Sequence, residues 1–128
     1  MKKMTPILYV DAIEPCLDFW MQRLGFAKTV EVPHGDKLGF VILVKDQLEL
    51  MYQTWDSAAA DIAGIAPRTT GHSAALYIDV EDINAVERAM KGADVAHPRR
   101  KAFYGATEIF VREPGGHVVG FAQFDGEA

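Results

Sequence analysis

The stretches Ile7-Leu8-Tyr9-Val10-Asp11 and Leu76-Tyr77-Ile78-Asp79-Val80 repeat one pattern, a short apolar strand with an acidic residue near its end, about seventy positions apart. Each stretch is followed by a segment of helical periodicity, which ends at Gly25 in the first half and at Gly92 in the second. Apolar segments separated by turns complete each half, so the order strand, helix and three strands occurs twice. Because an internal repeat determines the architecture of a chain, the sequence predicts an α+β fold of two βαβββ modules.

The spacing of apolar residues gives approximate limits for both modules. In the first helix they recur at steps of three and four, which places them on one face: Ile13, Cys16, Leu17, Trp20 and Leu24. In the second helix Asp82 is the expected N-cap. The predicted strands cover residues 6–10, 27–32, 38–44 and 47–53, and then 73–80, 94–97, 106–112 and 117–124. We predict one domain over residues 1–128, with module 1 at about 5–53, a connector at about 54–71 that contains a short helix over 56–63, and module 2 at about 72–124.

Length, charge and cysteine content restrict the class of protein. A chain of 128 residues can bury a core of its own, and no stretch approaches the roughly 20 apolar residues of a membrane span. The net charge of −5 disfavours nucleic acid and anionic membranes as partners. A single cysteine, Cys16, excludes an internal disulfide and suits a reducing cytosol, and the apolar segment after the basic N-terminus is too short for a signal peptide. We therefore expect a cytoplasmic protein. The basic residues near the second module are interpreted as a solvated surface: Lys91, Arg99, Arg100 and Lys101.

Several short motifs occur in the order and spacing of a known family. They are Pro6-Ile7-Leu8, Phe19-Trp20, Leu24-Gly25-Phe26 and the stretch from Tyr104 to His117, which includes Glu108, Arg112 and the turn Glu113-Pro114-Gly115-Gly116. With these motifs the chain resembles the vicinal oxygen chelate superfamily (glyoxalase, bleomycin resistance protein and extradiol dioxygenase), and most closely its bleomycin-resistance-protein branch. The resemblance implies that each module forms a curved half-barrel, and that the paired half-barrels make a cup with the helices outside. Ala12 stands where the family often has an aspartate helix cap, and Glu113 replaces the aspartate of the turn.

The resemblance also implies where a metal would be held. Metal-dependent members take ligands from the first and last strands of both modules, and the matching positions here are Thr5, Glu49, Ala75 and Gly120. A catalytic divalent ion normally needs about three protein donors, and only Glu49 is a suitable donor. We therefore expect neither a metal nor another cofactor.

Strand alternation from Glu49 then predicts which side chains line the cup. The candidate ligand-binding residues are Tyr9, Glu49, Met51, Trp55, Tyr77, Tyr104, Glu108, Phe110 and Arg112. Trp55 lies on the connector and is the expected lid residue. Glu49 has the alternative role of an exposed carboxylate at a dimer interface, and the aromatic residues could be ordinary core. Glu108 and Arg112 are about 13 Å apart on one strand, so they are not expected to pair and can instead brace the strands or face a partner chain.

Three functions compete at this point. The leading hypothesis is a metal-free small-molecule-binding protein of the bleomycin-resistance type, an antibiotic-resistance function, which sequesters an aromatic or cationic compound as a homodimer. The alternative is a metal-dependent lyase, isomerase or dioxygenase of the same superfamily. A third reading is a structural or regulatory dimer in which the cup has no ligand. No catalytic residue is assigned, because the serines and Cys16 lack a neighbouring base.

Overall fold

The computed structural model describes residues 1–126 and divides into two compact units, Met1–Thr70 (the N-terminal unit) and a second that begins at Gly71 (the C-terminal unit). Each unit contains one four-stranded sheet with helices, which confirms the α+β fold of two similar modules. The helix that was predicted for the connector packs on strands of the N-terminal unit and belongs to it.

The N-terminal unit follows the predicted order of elements, with one helix added at its end. Its elements are β1 (Ile7–Val10), α1 (Glu14–Asp18) with a π-helical turn after it (Phe19–Arg23), β2 (Ala27–His34), β3 (Lys37–Lys45), β4 (Leu48–Thr54) and α2 (Trp55–Asp61). The sheet order is β1-β4-β3-β2, in which β1 runs parallel to β4 and the other neighbours are antiparallel. The strand predicted to end at residue 32 continues to His34, and the next strand begins at Lys37, so the connection between the two predicted strands shortens to a turn.

The core of the N-terminal unit lies between its sheet and α1. Leu50 and Tyr52 on β4 are buried toward the helix, whereas Met51 and Gln53 alternate to the opposite face and are half-buried. The buried Trp20 indole donates a hydrogen bond of 2.9 Å to the Tyr52 hydroxyl, which satisfies a polar group that would otherwise be costly to bury. The opposite face of this sheet is therefore the one available to form a site.

The first helix differs from its prediction in its second half. A π-helical turn over Phe19–Arg23 replaces regular α-helix, and such wide turns are rare. Both Phe19 and Trp20 are buried there, although a regular helical period would have left Phe19 outside the apolar face. Trp20 packs edge to face against Phe19 and against Phe26, with ring centroids 5.1 Å apart in each case. Gly25 has the left-handed backbone (φ +79°) that ends the helix, as predicted.

The C-terminal unit repeats the architecture. Its elements are β5 (Ala75–Asp79), α3 (Ile83–Ala89), β6 (Asp94–Lys101), β7 (Ala106–Arg112) and β8 (Val118–Phe124). The sheet order is β5-β8-β7-β6, with β5 parallel to β8. Asp82 caps α3 by accepting hydrogen bonds from two backbone amides, at 3.0 and 3.2 Å, as predicted. Strand β6 is longer than the predicted 94–97, because two irregularities in its pairing with β7 carry it past Pro98.

The two faces of this second sheet also differ. Ile109, Val111, Val119 and Phe121 are buried on the face that α3 covers, and the Ile83 amide at the start of α3 donates to the Gln123 side chain at 2.8 Å. The opposite face carries Tyr77, Glu108, Phe110 and Gly120. Residues 1–126 contain no helix that is long and apolar enough to cross a membrane.

Candidate functional site

A pocket of about 800 Å³ lies in the N-terminal unit, between the sheet face opposite α1 and the segment that contains α2. This volume falls within the range of about 300–1,000 Å³ that is usual for small-molecule sites. Apolar and aromatic side chains supply most of the lining: Ile7, Tyr9, Val32, Pro33, Phe40, Ala58, Ala60, Ile62 and Ile65. His34, Gln53, Ser57 and Asp61 add a few polar groups. The pocket is suited to an organic molecule with a large apolar surface.

Helix α2 is held over the sheet by local contacts. The Thr54 hydroxyl caps α2 by accepting a hydrogen bond from the Ser57 amide at 3.1 Å, and the Gln53 side chain donates to the Ser57 hydroxyl at 3.2 Å. Glycine is needed beneath the helix, because a Cβ at Gly39 would lie 2.6 Å from the Cβ of His34 and 3.1 Å from that of Ser57. Helix α2 can therefore approach the sheet this closely only because Gly39 has no side chain.

The predicted lid residue contacts a predicted pocket residue. The rings of Trp55 and Tyr9 are stacked, with centroids 5.3 Å apart and planes 24° apart. Arg68, later in the same segment, forms ion pairs with Asp11 and, at 3.6 Å, with Asp56. These contacts hold both ends of the segment 55–68 against β1 and the residue that follows it, within the N-terminal unit.

Glu49 is engaged by neighbours of its own unit. Its carboxylate accepts hydrogen bonds from Lys3 Nζ and from Thr5 Oγ1, each at 3.0 Å. The bonds from Lys3 and then Thr5 lower the pKa of this carboxyl, so Glu49 is ionised at neutral pH. Thr5 and Glu49 are the two metal-ligand positions that the family resemblance implies in this unit. The threonine thus donates a hydrogen bond to the glutamate.

A polar cluster occupies the opposite face of the C-terminal unit. The side chain of Glu108 is fully buried, and its carboxylate accepts hydrogen bonds from the hydroxyls of Tyr77 and Tyr104. Arg100 lies on the neighbouring strand and donates to the second carboxylate oxygen through Nε at 2.9 Å and Nη2 at 2.8 Å. Three of the predicted site residues, Tyr77, Tyr104 and Glu108, are therefore brought together.

The ionisation of this cluster follows from its hydrogen bonds. Burial raises the pKa of the Glu108 carboxyl, but the bonds from Tyr104, Tyr77 and Arg100 together lower it by more, so its pKa lies below the usual value. Burial, and then the bond to Glu108, raise the pKa of Tyr77 well above its ordinary value of 10.0. At neutral pH Glu108 is therefore a carboxylate beside the Arg100 guanidinium, and the phenol of Tyr77 is neutral.

Phe110 fills the space beside Gly120, the last of the family's metal-ligand positions. A Cβ at Gly120 would lie 2.5 Å from Cε1 and 2.8 Å from Cδ1 of the Phe110 ring, so no larger side chain fits there while the ring keeps its position. Phe110 pairs with Gly120 across the β7–β8 ladder, and its ring centroid is 6.3 Å from that of Tyr77.

The donor set does not fit the divalent ion of metal-dependent relatives. Ala75 and Gly120 offer no donor, and Glu49 is bound by a lysine. Among residues 1–126, no three side chains of histidine, cysteine, aspartate or glutamate are grouped in a way that could hold a metal ion.

The remaining predicted residues have separate surroundings. The spacing of Arg112 and Glu108 along β7 had indicated that they would not pair. Arg112 is exposed and pairs with Asp94 at 3.1 Å instead. Met51 lies on the same sheet face as Glu49 and is half-buried.

Sequence reasoning missed two features of the C-terminal unit. The first is Arg100, which was interpreted as solvated surface but faces Glu108 across the β6–β7 ladder. Because the pairing of β6 with β7 is irregular, the sequence pattern of β6 does not indicate this contact. The second feature is the His117 ring, whose Nδ1 lies 2.8 Å from the buried carboxylate of Glu113 and whose centroid is 4.1 Å from that of the His72 ring. Glu113 also accepts a bond from the Gly115 amide at 2.8 Å, so it stabilises the β7–β8 turn.

Comparisons with known proteins bear on the whole chain. Residues 4–121 match the family model of the Glyoxalase/Bleomycin resistance protein/Dioxygenase superfamily, whereas a search of curated proteins finds no match. Among solved structures, a family enzyme from Burkholderia phytofirmans PsJN is similar with a TM-score of 0.78 and 16% identity, over 94% of this chain and 96% of that one. TioX from Micromonospora sp. ML1 is similar with a TM-score of 0.74 and 18% identity, over 97% and 99% of the two chains. A lactoylglutathione lyase from Agrobacterium tumefaciens gives a TM-score of 0.71 and 16% identity, over 96% and 94%. At these identities the structural likeness shows the fold alone.

Proposed function

Since this chain belongs to the Glyoxalase/Bleomycin resistance protein/Dioxygenase superfamily, we propose that it is a metal-free small-molecule-binding protein that sequesters an aromatic or cationic organic compound. The observation that carries the proposal is the pocket of about 800 Å³ in the N-terminal unit. Its apolar lining with a few polar groups is typical of sites for organic ligands. In a resistance role of the bleomycin type, such binding would lower the free concentration of a toxic compound without any reaction.

The lining favours a flat ligand. Tyr9 and Phe40 present aromatic rings to the pocket, and offset or edge-to-face contacts between rings contribute about 0.5–1.5 kcal/mol beyond simple burial. Asp61 at the pocket supplies a negative charge, and the net charge of the chain is −5. Both charges favour a cationic over an anionic ligand.

The chemistry of the family's ligand positions supports the metal-free part of the proposal. Two of the four positions have no donor side chain, and the ion pair with Lys3 neutralises the one carboxylate. A divalent ion would have to displace that lysine and would still have too few protein ligands for a defined geometry.

Calorimetric titration of the full chain tests the proposal. The ligands are bleomycin-type glycopeptides and a panel of planar aromatic compounds, both cationic and neutral. We expect saturable binding of at least one of them in the presence of a chelator. If none of these compounds binds, this form of the proposal is refuted.

Two matched variants locate the binding site. Ile65 lines the pocket and is 54% exposed, whereas Leu48 is 46% exposed and lies outside the pocket lining. Ile65→Arg places a charge in the pocket and should weaken binding at least tenfold, while Leu48→Arg adds the same charge elsewhere and should leave the affinity unchanged. Equal effects of both substitutions would place the ligand outside this pocket.

We also propose that the protein acts as a homodimer. Val30 and Val32 are exposed on β2, an edge strand of its sheet, and edges of this kind are commonly covered by a partner. Light scattering that gives the mass of one chain at micromolar concentration would remove this part of the proposal.

A further inference from the structure

We propose that Gln53 determines the specificity of the pocket in the N-terminal unit, and that it selects flat heterocycles whose edge carries an N–H group beside a carbonyl oxygen, as in a lactam. The inference rests on the proposed function and adds to it the chemical class of the ligand and the residue that recognises it. All residues involved belong to the N-terminal unit, Met1–Thr70.

One row of cross-strand neighbours forms the floor of the pocket. Gln53 on β4 is paired with Tyr9 on β1 and with Phe40 on β3, and Phe40 is paired in turn with Val32 on β2. Side chains paired in this way point to the same face of a sheet, and all four line the pocket. Because neighbouring strands are about 4.8 Å apart, a flat ring system that lies over Gln53 has an aromatic side chain on either side.

The Gln53 amide is therefore the polar group at the centre of this floor. A carboxamide has a carbonyl oxygen that accepts hydrogen bonds and two N–H groups that donate them. One N–H is donated to the Ser57 hydroxyl at 3.2 Å, and within residues 1–126 this is the one hydrogen bond of the Gln53 side chain. The carbonyl oxygen and the second N–H remain on the same planar group, and a ligand over the floor meets both.

Ser57 holds this amide in place from α2. The Ser57 backbone amide donates to the Thr54 hydroxyl that caps the helix, at 3.1 Å, and the side chain of Ser57 packs closely over Gly39. The hydroxyl that binds Gln53 is thus fixed by both the cap and the packing. A polar group that is already oriented loses less freedom when a ligand binds, so the Gln53 amide is suited to recognition.

A lactam has the complementary edge. Its N–H and its carbonyl oxygen lie side by side in one plane, so it can form two parallel hydrogen bonds with an amide. A ligand of the same size without such an edge would displace water from Gln53 and leave the amide unpaired, which weakens binding. The rings of Tyr9 and Phe40 contact both kinds of ligand in the same way. The preference for the lactam therefore depends on Gln53.

Calorimetric titrations of the full chain compare two probes with the same two-ring skeleton. 1-Isoquinolinone has the N–H beside its carbonyl oxygen, whereas 1-methoxyisoquinoline is methylated on that oxygen and has no N–H. The measured quantity is the ratio of the two affinities in the wild type, Gln53→Met, Gln53→Leu and Gln47→Met. Both Gln53 variants retain an apolar side chain of similar size and lose the amide. Gln47 is exposed and lies outside the pocket lining, so Gln47→Met is the matched control.

We expect the wild type and Gln47→Met to prefer 1-isoquinolinone by about tenfold to a hundredfold, the effect of leaving a buried polar group unpaired. Both Gln53 variants should lose this preference. They should bind 1-methoxyisoquinoline at least as tightly as the wild type does, because the pocket itself is intact.

Three results would overturn the inference and leave the proposed function standing. They are equal binding of both probes to the wild type, an unchanged preference in both Gln53 variants, and an equal loss of both probes in those variants, which would give Gln53 a structural role. The inference also fails alone if neither probe binds but proflavine, a planar aromatic cation without a lactam, does. If no compound of the panel binds, the inference and the proposed function both fail.

Discussion

Replacing Gly120 by alanine should destabilise the C-terminal unit through one identifiable contact. The added Cβ would lie 2.5 Å from Cε1 of the Phe110 ring, whereas carbon atoms in contact are normally about 3.5–4.0 Å apart. The ring must therefore move by about 1 Å or leave its position. Overpacking of this kind costs about 1–3 kcal/mol.

A second effect of the substitution has the opposite sign. The backbone of Gly120 is not in the left-handed region, so alanine adopts it without strain. Replacing glycine under such conditions stabilises a protein by about 0.4–1 kcal/mol through the unfolded chain. The net cost of Gly120→Ala in the wild type is then about 0–2.6 kcal/mol, the overpacking cost less the entropic gain.

A double-mutant cycle separates the two effects. In a Phe110→Ala background the ring is gone, and Gly120→Ala should become neutral or stabilising. The coupling free energy between the two sites should therefore be about 1–3 kcal/mol. Urea unfolding of the four chains, followed by far-UV circular dichroism, measures it as shifts of the unfolding midpoint. Additive effects of the two substitutions would show that Phe110 does not fill the family's ligand position and would refute this reasoning.

Three further predictions concern stability. Tyr52→Phe leaves the buried Trp20 indole without its acceptor at 2.9 Å and should lower the free energy of unfolding by about 1–3 kcal/mol in urea; an effect below the experimental error would contradict this. Asp82→Ala removes the α3 cap and should cost about 1 kcal/mol, whereas Asp82→Ser retains an acceptor and should cost much less, as thermal unfolding can show. The raised pKa of Tyr77 means that its contact with Glu108 stabilises the fold fully below pH 10 and loses that contribution as the pH rises above it. Tyr77→Phe should therefore reduce the slope of stability against pH above 10, and an unchanged slope would count against the assignment.

The sequence was sufficient for the architecture because burial on one face leaves a strong periodic signal. The alternation along β4 correctly placed Leu50 and Tyr52 toward the helix, with Met51 on the opposite face, and Asp82 was identified as a cap from its type and position. The π-helical turn at Phe19 escaped prediction because a local widening of the helix leaves no periodic pattern of its own.

The site was less predictable, since it depends on pairing between strands. Tyr77 and Glu108 were assigned to one surface by alternation alone, and the structure joins them by a hydrogen bond. Arg100, their counter-charge, lies on a strand whose pairing with β7 is irregular, so alternation could not place it. Phe40 and Gln53 line the pocket, and continuing the alternation from Met51 to Gln53 would have identified the second of them.

The most direct test of metal-free ligand binding is the affinity of the full chain for proflavine with and without excess EDTA, on protein purified without chelators and analysed for metals by mass spectrometry. We predict equal affinities and far less than one transition-metal ion per chain. Stoichiometric zinc, nickel, manganese or iron, together with loss of proflavine binding when that metal is removed, would contradict the account.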